Sequence, residues 1–238
     1  CIPEINLKKA SDFTCKFDFS NLAANGKNLP ITLEEILGDV DIMVQSSPNK
    51  SIDLSNIRSV EGNFFFNSTL AKSVDFSSLE KVGGYFCLQS LNGKGLKLDK
   101  LQSVNMSGIN KSRAGFGAEE RRKGLFIQSL SEISLPDLES VGGLCGFLNY
   151  TGLSCPKLKS VSEKLFISTA PNCSQVSFPA LNSVPNIKIE NNGKLSDFST
   201  FATVIENGSV TDGNWEVTGC KYNPTWQDMK EGRCKPAE

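Results

Sequence analysis

Apolar residues recur along the chain as triplets spaced three apart, each ending in valine. They are Leu54, Ile57 and Val60; Phe76, Leu79 and Val82; Leu98, Leu101 and Val104; Leu135, Leu138 and Val141; Cys155, Leu158 and Val161; Phe178, Leu181 and Val184. The first anchors follow one another at 22, 22, 37, 20 and 23 residues. Four residues after most valines comes an apolar-x-apolar pair: Phe64 and Phe66, Phe86 and Leu88, Cys145 and Phe147, Leu165 and Ile167. After Val184 the pair comes one residue early, as Ile187 and Ile189, and after Val104 it is displaced to Leu125 and Ile127. Two residues before each first anchor stands another apolar residue: Ile52, Val74, Leu96, Ile133, Leu153 and Val176.

Alternation over three to five residues is a strand signal, and Gly83–Gly84, Gly142–Gly143, Asn92–Gly93 and Asn191–Asn192–Gly193 mark turns between strands. A period near 22 is too short for paired helices and falls in the leucine-rich-repeat range, although the L-x-x-L-x-L-x-x-N consensus is missing. The pattern predicts an all-β chain: a right-handed parallel β-helix, or solenoid, of about seven coils of ~22 residues. One such coil cannot bury its apolar side alone; stacking makes the core continuous.

Solenoid ends expose strand edges and need covers. Three regions are expected: an N-terminal cap over 1–45, repeats over 46–201 with an insertion at 105–124, and a C-terminal cap over 202–238. In the first, "ITLEEIL" suggests a short helix with Thr32 as N-cap and Glu35 as its capping-box partner. In the last, Cys220 and Cys234 bracket "GCKYNPTWQDMKEGRC".

Composition narrows the function. The net charge is −1, with 25 basic and 26 acidic residues interspersed, which argues against nucleic acid or an anionic membrane surface as partner. The absence of histidine removes every Ser-His-Asp or Cys-His arrangement and most catalytic zinc sites. Eight cysteines form no C-x-x-C pair, so disulfides are expected rather than a metal site. Proximity in sequence suggests Cys1–Cys15 and Cys220–Cys234; Cys87, Cys145, Cys155 and Cys173 are left with three possible connectivities. Sequons at Asn49, Asn67, Asn105, Asn110, Asn149, Asn172 and Asn207 agree with a secreted glycoprotein. No apolar stretch of about 18 residues is present to span a bilayer, and a chain starting at Cys1 reads as a mature or trimmed product.

The phrases "FSSLEKVGGYFCL", "LPDLESVGGLCGFLNYTGL" and "FPALNSVPNIKIENNGKL" resemble fungal receptor-L-domain-like cell-wall proteins of the extracellular-mutant and sporulation-specific type. "YNPTWQDMKEGRC" resembles the end of their folded domain, and the likeness runs from about residue 40 to 235. The resemblance implies a β-helical receptor L domain, N-glycosylated and held at the plasma membrane or wall by a C-terminal GPI lipid. Its implied role is support of cell-wall or spore-wall organisation, with no catalytic residue. No Ser/Thr-rich stalk or GPI signal follows Glu238, so the membrane enters only through an anchor outside this sequence.

Catalysis has few candidates, and neither a catalytic set, a metal nor a cofactor is expected. Asp39 and Asp41 share a parity, but Asp39 adjoins a turn at Gly38. Asp53 and Asp75 stack on consecutive coils, with Lys97 next in line to neutralise its neighbour. The outward residues between the inward pairs read Phe65, Cys87, Phe126, Gly146, Phe166 and Lys188. Phe65, Phe126 and Phe166 form a candidate binding face for a cell-wall polysaccharide or a wall or surface protein. The competing and preferred reading is that another segment, a disulfide at Cys87 or a glycan covers them. Asn67, Gln89 and Gln128 form a second row, expected to be a stacked amide ladder. The 105–124 insertion is either a binding loop or a glycan-shielded one. The expected function is a non-enzymatic wall protein. Its alternative is a secreted ligand-binding module, effector or receptor-like, and a polysaccharide-active enzyme ranks third.

Overall fold

The computed structural model describes residues 34–44, 51–68, 73–91, 96–105 and 124–237, preceded by the strands Lys9–Ala10 and Phe13–Cys15. It is a parallel β-solenoid of about five turns with little helix. A seven-stranded sheet A and a nine-stranded sheet B run the length of the stack, and the third side is divided into two three-stranded sheets, C and D. Every strand pairing recorded in these sheets is parallel, with equivalent residues of successive turns side by side; Val60, Val82, Val104, Val141 and Val161 make one such column in sheet A.

The triplet has a simple structural cause. Its first two anchors are the ends of a tight turn closed by a backbone hydrogen bond, as in Ile57 N–H to Leu54 O at 3.1 Å and Leu79 N–H to Phe76 O at 2.9 Å. Such a turn directs residues three apart to one side, and the valine three further on enters sheet A pointing the same way. All three anchors are buried in every triplet. The apolar-x-apolar pair lies in sheet B, whose strands include Phe64–Ser68, Phe86–Leu91, Gly124–Ser129, Leu144–Leu148, Lys164–Ser168 and Ile187–Glu190. Its two members point inward by the period-two alternation of a strand.

The core is aromatic at both ends. Phe64, Phe76 and Phe86 pack with ring centroids 5.2–6.2 Å apart at one end. Phe178, Phe201 and Trp215 pack at 5.7 and 5.9 Å at the other. Leaving sheet B, the later turns bend through one left-handed residue each: Asn149, Thr169, Asn191 and Gly219, with φ of 61°, 59°, 58° and 66°. Asparagine and glycine tolerate this region; β-branched threonine does so at a cost.

Both ends depart from expectation. Glu35–Ile36 is a strand of sheet A, paired with Ser59–Val60, and not part of a capping helix. Ile36 extends the valine column of sheet A, and Val40 and Ile42, four and six residues on, are in register with Phe64 and Phe66 in sheet B. At the other end Phe198, Phe201 and Val204 keep the spacing of three, but the chain after Phe201 turns into helix α1, Ala202–Glu206. Trp215–Thr218 then adds the last strand of sheet B, and helix α2, Trp226–Lys230, follows. The apolar triplet that follows Val184 is thus helical and adds no strand to sheet A. The third side splits between Lys97 and Ile133, on either side of the 105–124 insertion, whose residues 106–123 lie outside the described set.

The true capping box belongs to α2. Thr225 Oγ1 accepts from the Asp228 N–H at 3.1 Å, and the Asp228 carboxylate accepts from Thr225 N–H and Oγ1 at 2.9 and 2.7 Å. Arg233 donates to the other carboxylate oxygen through Nε and Nη2. The cap is otherwise held by packing: Trp215 donates to Pro224 O at 2.8 Å, Trp226 to Val210 O at 3.1 Å, and Phe198 contacts Trp215 and Tyr222. Cys87, Cys145, Cys155, Cys173, Cys220 and Cys234 are all free thiols here, so neither the expected Cys220–Cys234 bridge nor any pairing among the four core cysteines is formed. Cys1 lies outside the described residues, and with it the expected Cys1–Cys15 bridge.

Two outcomes follow from this geometry. Thr169→Asn, giving the corner the residue found at Asn149 and Asn191, is expected to raise stability by about 1 kcal/mol in urea unfolding; an unchanged or lower midpoint would show that the corner stores no strain. Asp228 is held down to about 2, first by the Thr225 hydroxyl and backbone N–H and then by Arg233. A depressed carboxylate stabilises the fold above its unfolded pKa of about 4 and loses that contribution as pH falls through the folded value. Asp228→Asn should therefore lower the unfolding midpoint at pH 7, by an amount that shrinks steadily as the pH falls from 4 toward 2.

Candidate functional site

Strand register brings the outward residues of sheet B into one column. Phe65 pairs with Cys87, Cys87 with Phe126, Phe126 with Gly146, Gly146 with Phe166, and Phe166 with Lys188; Glu216 extends the row. The column is continuous, as the alternation implied, but it is not a solvent-facing aromatic strip. Phe65, Cys87 and Phe126 are only 6%, 1% and 3% exposed and form a second hydrophobic cluster outside the sheet, with Tyr85, Leu144 and Leu148 packed against it. The binding surface expected at Phe65 and Phe126 is therefore withdrawn: their apolar area is already removed from water. Gly146 belongs to this packing, since a Cβ there would meet the Phe126 ring at 2.9 Å.

The far end of the column differs. Phe166 is half-buried, with Lys164 Nζ 6.0 Å from its ring centroid, within cation–π range. Lys188 beside it bridges Glu190 and Glu216 at 3.2 and 3.1 Å. Hydrogen bonds to those two carboxylates, Glu216 first, raise its ionisation above that of an ordinary lysine. This patch of one aromatic ring and paired charges is what remains of the proposed face.

The amide row is interrupted. Asn67 and Gln89 are in register, but a β-bulge between Leu88 and Leu91 takes Gln128 out of step. Gln89 donates instead to Cys87 Sγ at 3.5 Å.

The acidic residues are held in turns and ion pairs. Asp53 stacks on Asp75, and Lys97 donates to Asp75 at 2.8 Å. Each aspartate also accepts the N–H of the residue two positions on, Ser55 or Ser77, at 3.0 Å. Burial pushes the Asp75 carboxyl up, but hydrogen bonds from Lys97 and Ser77 outweigh it and leave it below the ordinary aspartate value. Asp39 accepts the Asn63 N–H at 2.7 Å beside Gly38. The same arrangement recurs along the stack, with Lys157 on Asp137 at 2.7 Å and Lys159 on Glu139 at 2.9 Å. No group of three or more candidate metal ligands occurs among the described residues.

Of the sequons, Asn105, Asn172 and Asn207 are exposed, Asn67 and Asn149 are half-buried, and Asn49 and Asn110 lie outside the described residues. Asn207 Nδ2 donates to Asn182 O at 2.7 Å, and its Oδ1 accepts from Ser209 N–H at 2.9 Å.

One buried polar group was not legible in the sequence. Tyr150 Oη donates to Asn192 Oδ1 at 2.9 Å, and Asn192 Nδ2 donates to Glu190 O at 2.9 Å and Ile167 O at 3.3 Å. Asn192 is fully buried, and burial drives the Tyr150 phenol strongly upward, which keeps it protonated as a donor. In sequence, Tyr150 looked like the middle of a sequon and Asn192 like a turn residue. Nothing local separates those roles from a clamp between residues 42 apart.

No family model, curated protein or solved structure matches the chain. The likeness to fungal wall proteins rests on the repeat phrases and the C-terminal ending.

If the outer cluster is a packing element, Phe126→Ser should cost about 3 kcal/mol in urea unfolding and Phe166→Ser less than about 1 kcal/mol. Equal, small losses at both positions would return Phe126 to the list of free surface residues.

Proposed function

We propose that this chain is a non-enzymatic, secreted glycoprotein of the fungal cell surface, supporting cell-wall or spore-wall organisation. The observation that carries the reading is how the outer faces use their polar groups. Asp75 with Lys97, Asp137 with Lys157 and Glu139 with Lys159 each join one turn to the next along the solenoid. They form ladders and do not converge on one point, as general acid–base chemistry on a glycan would require. Such pairs help hold the register of a rigid spacer; exposed as they are, they add little stability. Exposed sequons at Asn105, Asn172 and Asn207 suit a glycan-coated surface. Attachment to the plasma membrane or wall by a GPI lipid outside this sequence belongs to the same reading, as does placement in the extracellular space.

A second reading has one observation in its favour. The half-buried Phe166 beside Lys164 gives sheet B an aromatic and cationic end of the kind that stacks on sugars or docks a protein. Under it the chain is a secreted ligand-binding module.

The deciding experiment is binding of the purified, glycosylated domain to an array of glucans, mannans and chitin, with extracted wall protein alongside. The structural reading expects no saturable polysaccharide binding. Saturable binding to one polysaccharide, lost in Phe166→Ser, would overturn it in favour of the binding module.

A further inference from the structure

We propose that Asn207 carries an N-linked oligosaccharide whose linking amide is itself a member of sheet A. Two series of backbone hydrogen bonds run along that sheet from turn to turn. In the first, the residue before each strand gives its carbonyl to the next turn. Glu80 N–H donates to Arg58 O, Gln102 to Glu80, Glu139 to Gln102, Lys159 to Glu139 and Asn182 to Lys159, at 2.7–3.0 Å. In the second, the column valines do the same. Gly83 N–H donates to Val60 O, Asn105 to Val82, Gly142 to Val104 and Ser162 to Val141, at 2.7–3.0 Å. Pro185, without an N–H, skips the place of Val161.

Among the described residues no strand of sheet A follows the bridge at Ser183, and both series end on the side chains of one sequon. Asn182 O accepts from Asn207 Nδ2 at 2.7 Å, and Val184 O accepts from Ser209 Oγ at 3.0 Å. Ser209 Oγ also accepts the Val184 N–H at 2.8 Å. The turn is fixed from within, because Asn207 Oδ1 accepts the Ser209 N–H at 2.9 Å. Asn207–Gly208–Ser209 thus stands where the next strand of the sheet would be.

The attachment point is open to solvent. Asn207 is exposed, and a Cβ on Gly208, at φ 76°, would meet nothing within 4 Å. The bond to Asn182 O uses one of the two Nδ2 protons. Transfer from a lipid-linked oligosaccharide joins Nδ2 to the anomeric carbon of the first sugar, releases the lipid pyrophosphate and removes the other proton. The product is a secondary amide with one N–H and one C=O, the pair that a peptide unit offers. It keeps the donation to Asn182 and the acceptance from Ser209. The other exposed sequons differ, since the side chains of Asn105 and Asn172 make no hydrogen bond among the described residues. At Asn207 the first sugar leaves in a fixed direction, in front of a sheet edge that would otherwise invite strand addition.

Addition of the sugar rests on the proposed secretion; the place of the sequon in sheet A does not. The full chain is secreted from yeast and its glycopeptides are mapped, with Asn207 expected to be occupied. Glycans at other sequons beside an unmodified Asn207 would overturn the proposal alone, and glycans at no sequon would overturn the secretory reading with it. Melting then tells a built-in amide from a hanging one, all forms being trimmed by an endoglycosidase to one N-acetylglucosamine per site. Asn207→Asp, which removes the donor and sets a carboxylate against Asn182 O, should lower Tm by roughly 2–6 °C, and Asn172→Asp by less than about 1 °C. Ser209→Thr, which keeps both sequon and hydroxyl, should keep occupancy and Tm. Equal Tm for the two aspartate variants overturns the built-in amide whatever the occupancy. If Asn207→Asp is not secreted, an amidase acting on the folded glycoprotein makes the same aspartate in place, and an unchanged Tm after that conversion overturns it equally.

Discussion

Everything in this protein depends on parallel hydrogen bonding between equivalent residues of successive turns. Because each strand takes its partner one turn away, a residue's neighbours are copies of its own position. An apolar residue placed once must be matched above and below, or the column loses a contact. The consequence is a core of columns: valines in sheet A, phenylalanines and aliphatic residues in sheet B, and the anchors between them. It also explains why one-residue errors are confined to corners and bulges, since a slip inside a strand would turn a whole inward column to the outside.

Stacking imposes the same logic on polar groups. A charge on an outer face finds its nearest partner one turn away, which is why Lys97, Lys157 and Lys159 pair with residues 20 or 22 positions earlier. At the corners, asparagine and aspartate side chains replace ladder bonds where the strand ends: Asp39 serves Asn63, and Asn63 serves Tyr85. These devices fix register. A protein made this way is suited to presenting a stiff, regularly spaced surface.

The ends show where the constraint gives way. Phe198, Phe201 and Val204 repeat the anchor spacing, but spacing of three also suits a helix, and with no sheet A strand to join after Ser183 the segment coils into α1. The cap is then closed by Trp215, Trp226 and Tyr222, whose polar tips reach backbone carbonyls while their rings cover the last turn. Aromatic residues do here what a covalent bracket had been expected to do.

The sequence by itself determined the solenoid, its period and its inward face, because a repeated pattern in a stacked fold reports the same environment many times over. It held more than the six triplets first apparent: Leu33 and Ile36, followed by Val40 and Ile42, carry the same spacing, although "ITLEEIL" also fits a helix start. Thr225 to Asp228 carries the real capping box in the same letters. Only the tertiary structure decided what lies against the outward face. Alternation shows that Phe65 and Phe126 point away from the core, and burial of both is decided by packing from outside the sheet, on which period two is silent. Tyr150 and Asn192 meet for the same reason: two turns of stacking bring them together, and no local signal records a distance set by the pitch of the coil.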